Sequence, residues 1–238
     1  MELKRPPDAT VLIPCYNEEN ILQQTLRRLF EAAQQFPFEM EIVVCDDGST
    51  DQTAAIARAE GVKTVSYAHN RGKGYALRAG AAVSAGEVLL LTDADLAYGV
   101  QPLADAYRVL TEGGYDLVCG SRRLDEAGDE GYPLSRKLAS RGFALFQRIT
   151  LGLPMSDTQC GLKALRGEVG RSLFADCSVD RFAFDLELLS LALYRGCTYA
   201  ELPVRLETHR ASSVRLLRDS LRMAAETLRI RRRLKKER

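Results

Sequence analysis

Asp93 and Asp95 flank a single alanine, Ala94, directly after the apolar run Val88–Leu91 and Thr92. Two carboxylates at the mouth of a buried strand repel each other unless a cation sits between them. A hard divalent ion, bound through oxygen and shared with a substrate diphosphate, answers that need, so Mg2+ or Mn2+ is the expected cofactor. Two more polar clusters follow apolar runs in the same way: Pro14-Cys15-Tyr16-Asn17-Glu18 and Asp46-Asp47-Gly48-Ser49. Both also read as helix caps, because Asn, Asp and Ser belong at such junctions.

His69-Asn70-Arg71-Gly72-Lys73-Gly74 carries a second kind of signal. Two glycines around a lysine at a helix start allow close backbone approach to an anion, with Lys73, Arg71 and Arg78 supplying charge. The loop is neither G-x-x-x-x-G-K-S/T nor G-x-G-x-x-G, and it follows the third strand rather than the first. Joined to the acidic pair, it points to a nucleotide diphosphate. Gly120-Ser121-Arg122-Arg123 ends the run Leu117–Cys119 in two arginines; an arginine at this mouth suits a phosphate, and Arg123 also reads as a solvated charge. Three further segments remain open between a site and plain structure: Ser156-Asp157-Thr158-Gln159-Cys160-Gly161 as a hairpin turn, Arg181–Asp185 as a helix cap, and His209–Arg215, with Ser212 and Ser213, as a loop.

The elements that must position these residues alternate. Strand-type runs at Thr10–Ile13, Glu41–Cys45, Val62–Tyr67, Val88–Thr92 and Leu117–Cys119 are separated by helical patterns at Glu18–Phe36, through Ala59, at Gly74–Ser84 and at Gln101–Glu112. Ser49-Thr50-Asp51-Gln52 reads as the capping box of the second helix. This β-α repetition predicts an α/β fold with a mainly parallel sheet and helices on both faces. In such sheets ligands bind outside the carboxyl ends of the strands, where every cluster above falls. Further on, Glu126–Tyr132 reads as a flexible loop, Leu134–Leu151 as a helix, Asp157–Leu165 as a strand or hairpin, Phe184–Arg195 as a helix and Tyr199–Leu206 as a strand. The pattern divides the chain into one domain over 1–213 and a basic amphipathic helix over 214–238.

With 33 Lys+Arg against 32 Asp+Glu in 238 residues, the chain carries a net charge of +1, which argues against nucleic acid as a partner. Arg215–Arg238 holds ten basic and three acidic residues, a local charge of +7, so the preceding body carries 1 − 7 = −6. The six scattered cysteines form no C-x-x-C pair and suit a reduced, cytoplasmic setting. No signal-type region and no apolar stretch near the roughly 20 residues of a bilayer span is found. A basic amphipathic helix is a way to lie on an anionic membrane surface, and a solvated charged face is the plainer reading.

Together the motifs resemble the inverting family-2 glycosyltransferases of GT-A fold, and within them the polyprenyl and dolichyl phosphate hexosyltransferases. The likeness runs through Val11–Glu19, Val43–Asp51, His69–Gly74, Thr92–Leu96, Gly120-Ser121-Arg122, Asp157–Lys163 and Phe184–Glu187. The stretches Asp157–Lys163 and Asp219–Ile230 look most like the dolichyl-phosphate glucosyltransferases. The resemblance implies that Tyr16, Glu18 and Asp46 hold the nucleoside, with Asp47 close by and Pro14 and Asn17 among the substrate-binding residues. It also implies that Lys73 and Arg122 contact phosphate, that Asp93 lies near the sugar nucleotide and Asp95 at the metal, and that Asp157 stands nearest the reacting centre; Arg78, Ala94, Gln159, Ser212 and Ser213 are the further expected substrate-binding residues. The implied reaction is inverting attack by a polyprenyl phosphate oxygen on a nucleotide-diphospho-sugar, UDP-glucose first, on the cytoplasmic face of the membrane. GDP-mannose as donor and a soluble acceptor are the alternatives. Two departures stand out: Ala97 occupies a position where mannosyltransferases of this kind often carry Gln, and Ser212-Ser213-Val214-Arg215 shifts the usual serine-lysine signature. An intact Asp93-Ala94-Asp95 speaks against a non-enzymatic binding protein. The Pro14-Cys15-Tyr16 sequence after the first strand speaks against a nucleotidyltransferase.

Overall fold

The structure is a computed structural model that describes residues 5–126, 134–207 and 216–236. The loop expected at Glu126–Tyr132 and the expected site residues Ser212 and Ser213 lie largely or wholly outside the described residues.

A seven-stranded sheet in the order β3-β2-β1-β4-β6-β5-β7 forms the centre. Its first strands are β1 (Ala9–Cys15), β2 (Met40–Asp46), β3 (Lys63–Ser66), β4 (Val88–Leu91) and β5 (Leu117–Ser121). β6 (Lys163–Arg166) runs antiparallel between β4 and β5, and β7 (Tyr199–Pro203) pairs parallel with β5. Pro14 is tolerated in this central strand because β4 pairs only as far as Leu91 with Leu12, so no β4 residue stands opposite Pro14.

The inner strands are largely apolar on both faces, and their alternation fills two cores, while the edge strands β3 and β7 are only partly buried. Val11, Ile13, Ile42, Val44, Val88, Leu90 and Val118 face one core, closed by α1 (Leu22–Ala33) and α4 (Gln101–Glu112). Leu12, Val43, Leu89, Leu91, Leu117 and Leu165 face the other, closed by α3 (Lys73–Val83), α6 (Gly167–Asp176) and α7 (Phe184–Tyr194). Coverage on both faces is what a near-continuous hydrophobic strand demands.

Three local expectations are corrected and one helix is added. α1 begins at Leu22 rather than Glu18, because the backbone before it is spent on tertiary bonds: Asn17 sits at φ 55° and its N–H donates to Ser49 Oγ, while Glu18 N–H donates to Thr53 Oγ1. α2 (Thr53–Ala59) is entered not by a capping box from Ser49 but through Asp51, whose Oδ1 accepts from the Thr53 N–H at 2.9 Å. Residues 157–162 are a loop, and the strand starts only at Lys163. α6 was not expected, since Gly167 and Gly170 weaken its helical signal.

Two long helices complete the fold, α5 (Leu134–Leu151) and α8 (Leu216–Lys236). The end of α8 is seated on the domain: Thr227 and Ile230 are buried, Leu234 packs on the second core, and Arg233 meets the buried Glu187 at 2.7 Å. Arg229, Arg231, Arg232 and Lys235 stay exposed, as does Leu228 at 43%.

Candidate active site

The carboxyl ends of β1, β2, β4 and β5 place Tyr16, Asp46, Asp93 and Arg122 at one edge of the sheet, as the strand order requires. Tyr16 is 46% exposed in the β1–α1 loop, which is tied to the β2–α2 loop: Asn17 Oδ1 accepts from the Thr50 N–H at 2.9 Å. Asp46 is buried at the end of β2, where Oδ1 accepts from the Ser49 N–H and Oδ2 from Ser66 Oγ at 2.6 Å.

Asp47 is committed to the protein itself. Its carboxylate accepts from Tyr67 Oη at 2.7 Å and from the backbone N–H groups of Arg71 and Gly72, each at 2.8 Å. The start of α3 thus already holds an anion, and it is an internal one. The flanking glycines serve packing rather than ligand approach, a correction to the anion loop expected there. A Cβ at Gly72, which has φ 112°, would lie 2.5 Å from the Asp180 carbonyl oxygen; one at Gly74 would lie 2.5 Å from Phe184 Cβ. Arg78 points to the same segment, donating to the Cys177 carbonyl at 2.8 Å and pairing with Asp180. Arg71 stacks on the Tyr75 ring at 3.5 Å.

Lys73 turns the other way, into the site, and meets Asp93 Oδ1 at 2.5 Å. Burial would raise the Asp93 carboxyl and lower the Lys73 ammonium. Their mutual attraction prevails, holding Asp93 below and Lys73 above their usual ranges. Asp95, half-buried, caps its own turn by accepting from the Ala97 N–H at 3.1 Å, and the Ala94 carbonyl is anchored by Thr25 Oγ1.

Across the mouth, Arg122 and Asp157 form a bidentate pair, Nε to Oδ2 at 2.6 Å and Nη2 to Oδ1 at 3.0 Å. Burial works to raise the Asp157 carboxyl, but the Arg122 guanidinium brings it below the usual carboxylate range. Asp157 is therefore ionised and a poor proton acceptor. Gln159, two residues on, gives its N–H to Asp157 Oδ1 at 3.3 Å and leaves a buried Nε2 without a partner. None of the thiols is a poised nucleophile: all six are free, and burial pushes Cys45 and Cys119 up to about 12.

One residue that carries the site was quoted in the sequence only as the end of a motif. Lys163, in the apolar run Leu162-Lys163-Ala164-Leu165, is 1% exposed and pairs with Asp185 Oδ1 at 2.6 Å. A lysine inside a strand of core residues was the signal. Asp185 is accordingly more than the helix cap that its position suggests.

Three cations, Lys73, Arg122 and Lys163, are thus each paired with a carboxylate, Asp93, Asp157 and Asp185. A diphosphate brings negative charge that these compensated cations do not offset, so a further cation fits beside it. Asp93 and Asp95 supply two hard oxygen groups for one. Among the described residues no cluster of three His, Cys, Asp or Glu could hold a metal by itself, so Asp93 and Asp95 would need further ligands, for which a substrate diphosphate is suited.

The family model described as Glycosyl transferase family 2 matches residues 10–174. The chain is 30% identical to a dolichyl-phosphate beta-glucosyltransferase of Dictyostelium discoideum, with 97% of this chain and 77% of that protein covered. It is 33% identical to the Homo sapiens dolichyl-phosphate beta-glucosyltransferase, with 82% and 66% covered. Among solved structures, glucosyl-3-phosphoglycerate synthase from Mycobacterium tuberculosis, in complex with Mn2+, UDP-glucose and phosphoglyceric acid, shares the fold at TM-score 0.70. That match is 23% identical and covers 94% of this chain and 79% of the other.

Proposed function

The chain belongs to glycosyl transferase family 2, with a GT-A fold, and from that premise we propose that it transfers glucose from UDP-glucose, with inversion, to a dolichyl or polyprenyl phosphate. The observation that carries this is the pairing of Asp157 with Arg122 opposite Asp93 and Asp95. A phosphate monoester has a second pKa of about 6, so its attacking oxygen is already deprotonated at neutral pH. It needs orientation rather than a strong base, and the Arg122 guanidinium, held in place by an Asp157 carboxylate that is itself a weak base, fits that task. A sugar hydroxyl would need a better proton acceptor. The two relatives named dolichyl-phosphate beta-glucosyltransferase support this choice of acceptor and sugar.

In this mechanism Tyr16, Glu18 and Asp46 hold the nucleoside, and Lys73 exchanges Asp93 for a donor phosphate. Arg122 faces the negative charge that develops on the departing nucleotide. A divalent ion, Mg2+ or Mn2+, held by Asp93 and Asp95 with the diphosphate, would supply further charge neutralisation. Asp157 acts through Arg122, fixing the guanidinium that keeps the acceptor phosphate in line with the anomeric carbon.

The same proposal places the protein peripherally on the cytoplasmic face of an anionic membrane. The exposed Arg229, Arg231, Arg232 and Lys235 of α8 would meet the lipid headgroups. No described helix is long and apolar enough to cross a membrane. The test is incubation with dolichyl phosphate and a panel of labelled UDP- and GDP-sugars, followed by organic extraction. Label from UDP-glucose entering the lipid is the expected result; label entering only a water-soluble product overturns the acceptor assignment.

A further inference from the structure

Lys163 bridges parts of the site that lie far apart in sequence. Its ammonium donates to the Cys160 carbonyl at 2.7 Å and to the Thr158 carbonyl at 3.3 Å, while Asp185, on α7, holds it at 2.6 Å. The loop so pinned runs from Asp157 to Gly161 and lies directly against the donor side. A Cβ at Gly161 would stand 2.1 Å from Asp93 Oδ2. The same loop carries Asp157, clamped by Arg122, and Gln159 with its unpartnered Nε2. Lys163 therefore ties the 157–161 loop, which abuts Asp93 at Gly161, to Asp185 on α7.

Stability alone does not call for such a pair. Burying two charges is costly, and a well-packed apolar pair is often as stable or more so. What an apolar pair lacks is two directed bonds to the carbonyls of a loop that contains no regular secondary structure.

Resting on the transfer reaction proposed above, we infer that Lys163 is a positioning residue: with Asp185 it seats the 157–161 loop against Asp93, fixing Asp157 and Gln159 relative to the donor. It touches no substrate and acts through the loop.

The test compares the wild type, Lys163→Met, and the double variant Lys163→Met with Asp185→Leu. The single variant leaves Asp185 buried without its partner and is expected to be strongly destabilised. The double variant removes both charges, so its melting temperature is expected to stay near that of the wild type, and its UDP affinity within about threefold. Its kcat is expected to fall about tenfold to a hundredfold, the range for losing an outer-shell contact. Amide hydrogen exchange across 158–161 should speed up in parallel. A folded double variant with wild-type kcat and wild-type exchange overturns the inference. If the double variant does not fold, Gly161→Ala displaces the same loop with Lys163 intact; it must lower kcat similarly, and wild-type turnover there is equally fatal to the idea. Wild-type transfer to dolichyl phosphate is measured first. Its failure sinks the proposed function alone, since the exchange comparison reports on loop seating without any substrate.

Discussion

Asp157→Asn separates what the Arg122 pair does for stability from what it does for transfer. Asp157 has 7% of its side chain exposed and Arg122 20%, so both charges are largely out of water and their two hydrogen bonds, 2.6 and 3.0 Å, are poorly replaced by solvent. Losing one partner of a pair this buried costs about 3 kcal/mol, because the guanidinium is left without its counter-charge. For a chain of this size that corresponds to a fall in melting temperature of about 6 to 12 °C. The sign of the pH dependence follows from the lowered Asp157 carboxyl. A carboxyl whose folded pKa lies below its unfolded value of about 3.9 contributes stability that is fully present above that value. The contribution disappears as pH falls through the lower folded pKa. Denaturant melts of both proteins from pH 7 downward should therefore show a constant gap to about pH 4 and a shrinking one below it. A gap that persists unchanged to the lowest pH at which the wild type remains folded, or no gap at pH 7, refutes the reasoning. In the transfer assay the variant should bind UDP like the wild type and turn over far more slowly.

Other outcomes follow from the same geometry. Asp95→Ala should abolish transfer and remove any dependence of UDP binding on Mn2+, measured by calorimetry with and without the ion; near-wild-type turnover by that variant in a chelator would falsify the metal assignment. Gly74→Ala should destabilise by about 1–3 kcal/mol in a denaturant melt, because its Cβ would meet Phe184 Cβ at 2.5 Å and the Val179 carbonyl oxygen, a backbone atom that cannot rotate away. Arg231→Glu, Arg232→Glu and Lys235→Glu together should weaken co-sedimentation with phosphatidylglycerol vesicles while leaving the melting temperature nearly unchanged, since all three side chains are exposed. Deleting α8 would be a poorer test, because Ile230 and Thr227 are buried and Arg233 partners Glu187.

The sequence by itself determined the alternation of strands and helices, the two-faced burial of the sheet and the edge at which chemistry collects. Each of these is local: a strand buried on both faces must be apolar throughout, as Val88–Leu91 is, and polar residues must gather where such a strand ends. The acidic pair Asp93 and Asp95 was legible for that reason. Local pattern said little about α6, whose glycines mask its helical period, or about 157–162, where polar residues amid apolar flanks suit a strand or a loop equally. Only the tertiary structure decided which charges meet. Lys73 reaches Asp93 because the start of α3 meets the end of β4, and Arg122 reaches Asp157 and Lys163 reaches Asp185 because β6 enters antiparallel between β4 and β5, bringing the 157–163 segment to the same mouth. The roles of Asp47, Gly72 and Gly74 were decided in the same way. A carboxylate before a glycine-rich loop reads as a ligand site until the fold shows that carboxylate filling the loop and a backbone segment filling the space beside the glycines.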